Sequence, residues 1–221
     1  MPFLTPARID APELLDEHDA PREDAERSLR DLRRFNSIYG GAGVYRRLLR
    51  RMAPHNPASI LDVASGTADL LEQQPDTTFR VAVDFKIDHL LYLREGSRVR
   101  RVVADARRLP FLNSAFEIVT STHFFHHLTP NENAVMLREA LRVSRRGVIV
   151  NDTRRHYIPW LVVKLLAIFH LVGRITRNDA PASILRGYTI EEARAIVANI
   201  PAARVEVIRA WPFRFGLLLW K

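Results

Sequence analysis

Three short apolar runs in this chain each carry a carboxylate at or near their downstream end. They are Ile60-Leu61-Asp62-Val63, Val81-Ala82-Val83-Asp84 and Val102-Val103-Ala104-Asp105. The first continues into Ala64-Ser65-Gly66-Thr67-Ala68-Asp69-Leu70, where small residues open a helical pattern. Small side chains let a ligand approach the backbone, and the first N–H groups of a helix are free to meet it. Asp84 stands 22 positions after Asp62, close to where an acid that accepts both hydroxyls of a ribose follows such a turn. Asp105 is placed to accept from an adenine amino group, with the Ala106 N–H donating to the ring. The set predicts a nucleoside site.

A dinucleotide turn needs the spacing G-x-G-x-x-G. Here Asp69 stands where its last glycine would fall, and a pyrophosphate would sit poorly beside Asp62. S-adenosylmethionine has no phosphate and carries a sulfonium and an ammonium, so acids in the turn are tolerated or helpful.

A second group of residues could move a proton. His123, His126 and His127 follow the apolar run Phe116–Thr122, and histidine titrates near neutrality, as a general base requires. The same residues could instead build a structural turn. As a metal set, His-x-x-His-His has no nearby carboxylate before Glu132 and no helical register, so no metal is expected. Asn151 and Asp152 end the next run and could face an acceptor; Asp152 could equally cap the segment that follows.

The elements that must position these groups follow from hydrophobic periodicity. Strands are expected at Ser59–Ala64, Phe79–Asp84, Val99–Ala104, Phe116–Thr122 and Gly147–Asn151. Helical patterns lie between them at Thr67–Gln74, Ile87–Glu95 and Glu132–Val143. This alternation predicts an α/β, Rossmann-like, doubly wound seven-stranded sheet. It would be parallel, with an antiparallel C-terminal strand supplied by Val205–Trp211 and Phe213–Trp220. Thr189 is expected to cap a helix over Thr189–Ala198 that has Glu191 and Glu192 in its first turn.

Residues 1–24, rich in Pro, Asp, Glu and Arg, read as a flexible arm before one domain over 25–221. Within it, 25–57 forms two helices joined at Gly40-Gly41-Ala42-Gly43, a lid over the cofactor with glycine hinges around Asn36 and Gly40–Gly43. Residues 153–187 interrupt the α/β rhythm and are expected to form an acceptor pocket, with Tyr157 and Trp160 among its apolar surfaces. An ordinary amphipathic core helix fits the same pattern.

Composition narrows the classes. Of 221 residues, 47% are hydrophobic and 26% charged, which excludes wholesale disorder. Cysteine is absent, which removes disulfide scaffolds, Cys-ligated metals and cysteine nucleophiles. The N-terminus lacks a secretory pattern, so a cytoplasmic setting is expected. The longest apolar stretch, Ile158–Val172, contains Lys164 and His170 and is too short to span a bilayer; it can lie on a membrane surface, meet a pathway enzyme or cover an apolar pocket. The net charge of +8 suits anionic partners, but only Lys86, Lys164 and Lys221 of the 33 basic residues are lysines and the arginines are scattered. A nucleic-acid partner is therefore not expected.

These motifs together resemble the class I S-adenosylmethionine-dependent methyltransferases, specifically the ubiquinone- and menaquinone-biosynthesis type. The resemblance runs from about Leu32 to Trp211 and includes Leu61–Leu70, the Asp84 strand, Asp105–Phe111, Phe116–Val119, His126-His127-Leu128 and Leu137–Val143. Arg145–Asp152, Arg177–Ser183 and Arg186–Thr189 are similar to small bacterial methyltransferases of polyketide-type secondary metabolism. Ala64 and Ala68 replace family glycines, and Glu117 is the acid after Phe116. The resemblance implies that Asp62, Ala64 and Gly66 line the methionine portion, Asp84 binds ribose and Phe85 packs on the adenine. Asp105 and Ala106 would read the adenine edge, while Thr122 and His123 pass beneath the transferring methyl. The expected activity is methyl transfer from S-adenosylmethionine to oxygen or carbon of a small hydrophobic, phenolic, quinone-like or polyketide-derived acceptor. The alternatives are an RNA or DNA methyltransferase, which the fourth strand's Ser121-Thr122-His123-Phe124 does not favour, and a noncatalytic cofactor-fold partner protein.

Overall fold

A computed structural model describes residues 4–16, 21–38, 40–93 and 96–221. Two N-terminal helices, α1 (Arg22–Ile38) and α2 (Gly41–Met52), precede the alternating region. That region comprises β1 (Ser59–Val63), α3 (Asp69–Glu72), β2 (Phe79–Asp84), α4 (Ile87–Leu91), β3 (Arg100–Val103), β4 (Phe116–Thr122), α5 (Pro130–Val143) and β5 (Ser144–Thr153). Two further helices, α6 (Tyr157–Ile168) and α7 (Arg174–Arg186), come before α8 (Ile190–Val197), β6 (Arg204–Ala210) and β7 (Arg214–Trp220).

Among the described residues the strands form one seven-stranded sheet in the order β3-β2-β1-β4-β5-β7-β6. β1 to β5 pair in parallel, and β7 inserts antiparallel between β5 and β6. This is the doubly wound arrangement that the alternating pattern predicts. β5 is longer than the expected Gly147–Asn151 because Ser144 already pairs with Phe116 and Thr153 still pairs with Arg214.

Period-2 alternation divides the core between the two sheet faces. Leu61, Val119, Val148 and Leu217 pack with Met136 and Leu137 of α5 and Ala193 of α8. Ile60, Ile118, Ile149 and Leu218 pack with Tyr45, Leu48 and Leu49 of α2. Asp62 and Thr120 occupy the second face, opposite each other in register. Thr129 and Thr189 close capping boxes with Glu132 and Glu192, each satisfying two orphan donors at a helix start.

Two expectations are corrected. The glycine-rich run is not a four-residue hinge, because Gly41, Ala42 and Gly43 form the first turn of α2. Only Gly40 adopts a left-handed conformation, with φ 78, and a Cβ there would lie 2.8 Å from Pro212 Cδ. Asn36's side chain and Tyr39 lie outside the described residues. The described residues 4–16 of the expected arm also pack onto the molecule. Glu13 is buried, and the Leu14 and Leu15 N–H groups donate to the Asp179 carboxylate at 2.8 and 2.9 Å. Among the described residues, no helix is long and apolar enough to cross a membrane.

Candidate active site

A cavity of about 650 Å³ opens beyond the carboxyl ends of the parallel strands, where open α/β sheets bind their ligands. Its walls bring together Asp62, Ala64, Gly66, Asp84, Phe85, Asp105, Ala106 and Thr122, and with them all three of His123, His126 and His127.

The turn after β1 is shaped by backbone geometry. Ala64, Gly66 and Ala68 have φ of 52, 53 and 51, a region in which a Cβ costs roughly 1–2 kcal/mol. Glycine is the natural residue for this path, and the chain follows it with two alanines. A Cβ on Gly66 would meet no atom within 4 Å, so the turn leaves open space for a ligand to approach.

Each acid sits in a different environment. Asp62 is buried and accepts from Thr120 Oγ1 at 2.5 Å. Burial pushes its carboxyl up to about 7, and the charges of Asp69 and Asp84 push the same way while Thr120 opposes them. A cationic ligand is the natural partner for such a group. Asp84 is held by the Gly66 N–H at 2.9 Å and the Lys86 N–H at 3.0 Å, with His89 Nδ1 at 3.3 Å. Burial raises this carboxyl, but His89 and the two backbone donors bring it below the usual carboxylate range. Asp105 is not free: Arg107 Nη2 donates to it at 2.8 Å, and Arg107 Nη1 also reaches Glu132 at 2.6 Å. Any donor that a ligand offers to Asp105 would share it with this guanidinium. Phe85 stands exposed at the rim.

The histidines form the second half of the site. Asp152, fully buried, accepts from the His126 N–H at 3.0 Å and lies 2.9 Å from His126 Nδ1 and 3.4 Å from His123 Nδ1. Burial would raise the Asp152 carboxyl, but both rings hold it well below its usual range. His126 is desolvated yet raised, because Asp152 and Glu13 favour its charged form. His123 is lowered by desolvation, with the His126 and Arg214 charges adding to that effect against the pull of Asp152. Of the pair it is the ring pushed toward the neutral form, and its side chain stays 20% exposed toward the cavity.

Sequence spacing could not place Glu13 here. Its oxygens lie 3.6 Å from His126 Nε2 and 3.8 Å from His127 Nε2, and Ser183 Oγ donates to it at 2.7 Å. Burial pushes this carboxyl up, and the two histidines and Ser183 bring it down to about 2. The premise that the histidine turn has no nearby carboxylate is therefore corrected twice, by Glu13 and by Asp152. Glu13–His126–His127 and His123–His126–Asp152 each gather three groups with metal-ligand chemistry within 4.8 Å of one another.

The acceptor-side expectations fare differently. Asn151, Tyr157 and Trp160 do not line the cavity. Asn151 is fully buried; its Nδ2 donates to Gly41 O at 3.0 Å and its Oδ1 accepts from Arg214 Nε at 3.0 Å. It ties β5 to α2 and β7 instead of facing a ligand. α6 turns Ile158, Pro159, Val162 and Val163 to the cavity, one face at helical spacing, and Tyr157 and Trp160 fall off that face. Leu29, Leu32 and Phe35 of α1 and Trp211, Pro212 and Phe213 before β7 complete the apolar wall. The α1 residues carry a legible signal, their helical period; the β6–β7 connection carries none.

Residues 60–147 match a family model described as a methyltransferase domain. A demethylmenaquinone methyltransferase of Mycolicibacterium paratuberculosis is 36% identical over 162 residues, covering 72% of this chain and 63% of that protein. One from Mycobacterium sp. (strain KMS) is 31% identical over 166 residues with the same coverage. The chain thus spans about 63% of the length of these relatives. A SAM dependent methyltransferase from Aquifex aeolicus superposes with a TM-score of 0.59 at 16% identity, covering 79% of this chain and 88% of that one. The plantazolicin methyltransferase BamL, solved with a triazolic desmethylPZN analog and SAH, gives 0.68 at 10% identity, covering 90% and 91%. Residues 60–147 are thus a methyltransferase domain, and the fold around them is the one seen in solved S-adenosylmethionine-dependent methyltransferases.

Proposed function

We propose that the chain methylates a small apolar acceptor with an acidic oxygen or carbon, of quinone-like, phenolic or polyketide-derived type. The observation that carries this reading is one cavity with two unlike halves. Asp62, Asp84 and Asp105 stand at successive strand ends on one side, and the aliphatic and aromatic faces of α1, α6 and the β6–β7 connection stand on the other. The demethylmenaquinone methyltransferase relatives support the quinone-like end of that range.

S-adenosylmethionine supplies an electrophilic methyl carbon on a sulfonium that leaves as a neutral thioether. The chain's residues do the rest. Asp84 binds the ribose hydroxyls, Phe85 covers the adenine, and Asp105 with the Ala106 N–H reads its edge. Asp62 with the Ala64–Gly66 turn receives the ammonium end. His123, with Asp152 behind its Nδ1, would take the proton that the acceptor's oxygen or carbon gives up in exchange for the methyl group. Holding the reacting atoms about 3–3.5 Å apart in line supplies most of the acceleration.

Calorimetric titration with the demethylated product, S-adenosylhomocysteine, tests the first half. Saturable one-site binding is expected, weakened at least several-fold by Asp84→Ala, and unchanged affinity in that variant removes the ribose assignment. Incubation with S-adenosylmethionine and a panel of hydroxynaphthoquinones, phenols and enolisable polyketides tests the second half. Tight cofactor binding without turnover over the whole panel would favour a noncatalytic partner protein.

A further inference from the structure

α6 lacks a buried face. Lys164 is its one charged residue, and none of its twelve residues is buried. A helix that is apolar on every side is ordinarily enclosed by protein or by lipid. Here one face closes the cavity through Ile158, Pro159, Val162 and Val163. Leu161, Leu165 and Ile168 form a second stripe at helical spacing that points outward, and Phe169 and Leu171 extend it at the tip beyond the helix. Leu161, Ile168, Phe169 and Leu171 are 53–68% exposed. A contiguous apolar surface of this kind marks an interaction site.

Its surroundings are basic. Lys164 lies over the Trp160 ring, with Nζ 5.6 Å from the centroid. The Arg27 side chain of α1 lies beside the tip, since a Cβ on Gly173 would meet its Cγ and Cδ at 3.0 Å. Arg174 and Arg177 begin α7 directly after the tip, Arg174 paired with Asp24 at 3.0 Å and Arg177 against His170. Twelve residues at 1.5 Å each give about 18 Å, well short of a hydrocarbon core of about 30 Å. The geometry is that of a helix lying in an interface with an apolar face in the acyl boundary and cations at phosphate level.

We infer that α6 and the Phe169–Leu171 tip seat this protein on an anionic lipid surface. An isologous contact with a second copy would set the same patch against itself and bring Lys164 and Arg27 toward their own counterparts, whereas a bilayer of anionic lipid complements them. The same helix walls the acceptor side of the cavity, so an apolar acceptor dissolved in the bilayer would reach it along α6. That last step rests on the proposed methyl transfer; the docking itself does not.

Cosedimentation of the full chain with vesicles tests the inference. Vesicles of phosphatidylglycerol and phosphatidylcholine in equal parts are compared with phosphatidylcholine alone. Binding to the anionic vesicles is expected to be about ten-fold stronger or more, and to weaken as salt is raised. The double variant Leu161→Asp, Phe169→Asp, whose sites lie outside the cavity, should lose about ten-fold or more of that binding while keeping S-adenosylhomocysteine affinity and helical circular dichroism. No sedimentation with either vesicle, or undiminished binding by the double variant, overturns the inference. So does a concentration-dependent dimer in light scattering that the same double variant abolishes. Vesicle binding without any S-adenosylhomocysteine binding would leave the docking in place and remove the function proposed above.

Discussion

Glu13 Oε1 lies 3.6 Å from His126 Nε2, while Asp152 lies 2.9 Å from the other nitrogen of the same ring. The buried imidazole is thus flanked by two carboxylates drawn from distant parts of the chain. Asp152 comes from the end of β5, and Glu13 from the segment that Asp179 ties down through the Leu14 and Leu15 N–H groups. This relationship joins the N-terminal segment to the histidine wall of the cavity.

Removing either carboxylate should therefore cost stability in different amounts. Asp152→Asn leaves a buried ring with one charged partner fewer and is expected to destabilise by about 3–5 kcal/mol. Glu13→Gln keeps the shape and the Ser183 contact and should cost about 1–2 kcal/mol. Urea denaturation measures both. Equal costs would mean that the two carboxylates do not act on His126 as described.

Asp62 makes stability and binding depend on pH near neutrality. Its folded pKa of about 7 exceeds the ordinary 3.8. Below 3.8 the group is protonated in both states and imposes no penalty. As pH rises toward 7 the unfolded chain ionises first, so the folded state loses roughly 4 kcal/mol by about pH 7 and no more above it. Asp62→Asn should remove that fall, seen as a flatter profile of unfolding free energy between pH 5 and 8 by urea titration. A cationic ligand end favours the carboxylate, so S-adenosylhomocysteine affinity should rise through pH 7 with proton release. Calorimetry in buffers of different ionisation enthalpy reads this directly, and proton uptake would contradict it.

Unlike His126, which Asp152 and Glu13 favour in its charged form, His123 is pushed toward its neutral form by desolvation and keeps part of its side chain open to the cavity. His123→Asn should lower turnover by about 10²–10⁴-fold on an acceptor that must lose a proton, with little change in S-adenosylhomocysteine affinity. Wild-type turnover in that variant would leave positioning alone as the source of rate.

The Ala64 backbone predicts a gain instead of a loss. At φ 52 its Cβ is strained, and Ala64→Gly should relieve part of roughly 1–2 kcal/mol, offset by glycine's greater freedom in the unfolded chain. A net change between zero and about 1 kcal/mol of stabilisation is expected by thermal unfolding. A loss of 1 kcal/mol or more would show that the methyl group makes contacts worth more than the strain.

The parallel sheet and the edge that carries Asp62, Asp84 and Asp105 were legible because each acid belongs to a local pattern of short apolar run, turn and helix. Period-2 alternation fixed which face each strand residue takes. The acceptor side was less legible, because which face of an all-apolar helix turns inward is decided by its neighbours: α6 points Val162 inward, not Trp160. Asn151 has the same sequence signature whether it meets a ligand or, as here, braces Arg214 and Gly41. Glu13 gave no signal at all, since a polar N-terminal segment reads as solvated until a distant carboxylate such as Asp179 is seen to hold it.

A crystal structure of the full chain with S-adenosylhomocysteine tests the central claim most directly. The account predicts the adenosyl group in the cavity beyond β1 to β3, with both ribose hydroxyls within hydrogen-bonding distance of the Asp84 carboxylate and the sulfur facing His123. Density for the ligand elsewhere, or a cavity that takes a nicotinamide or flavin instead, would contradict it.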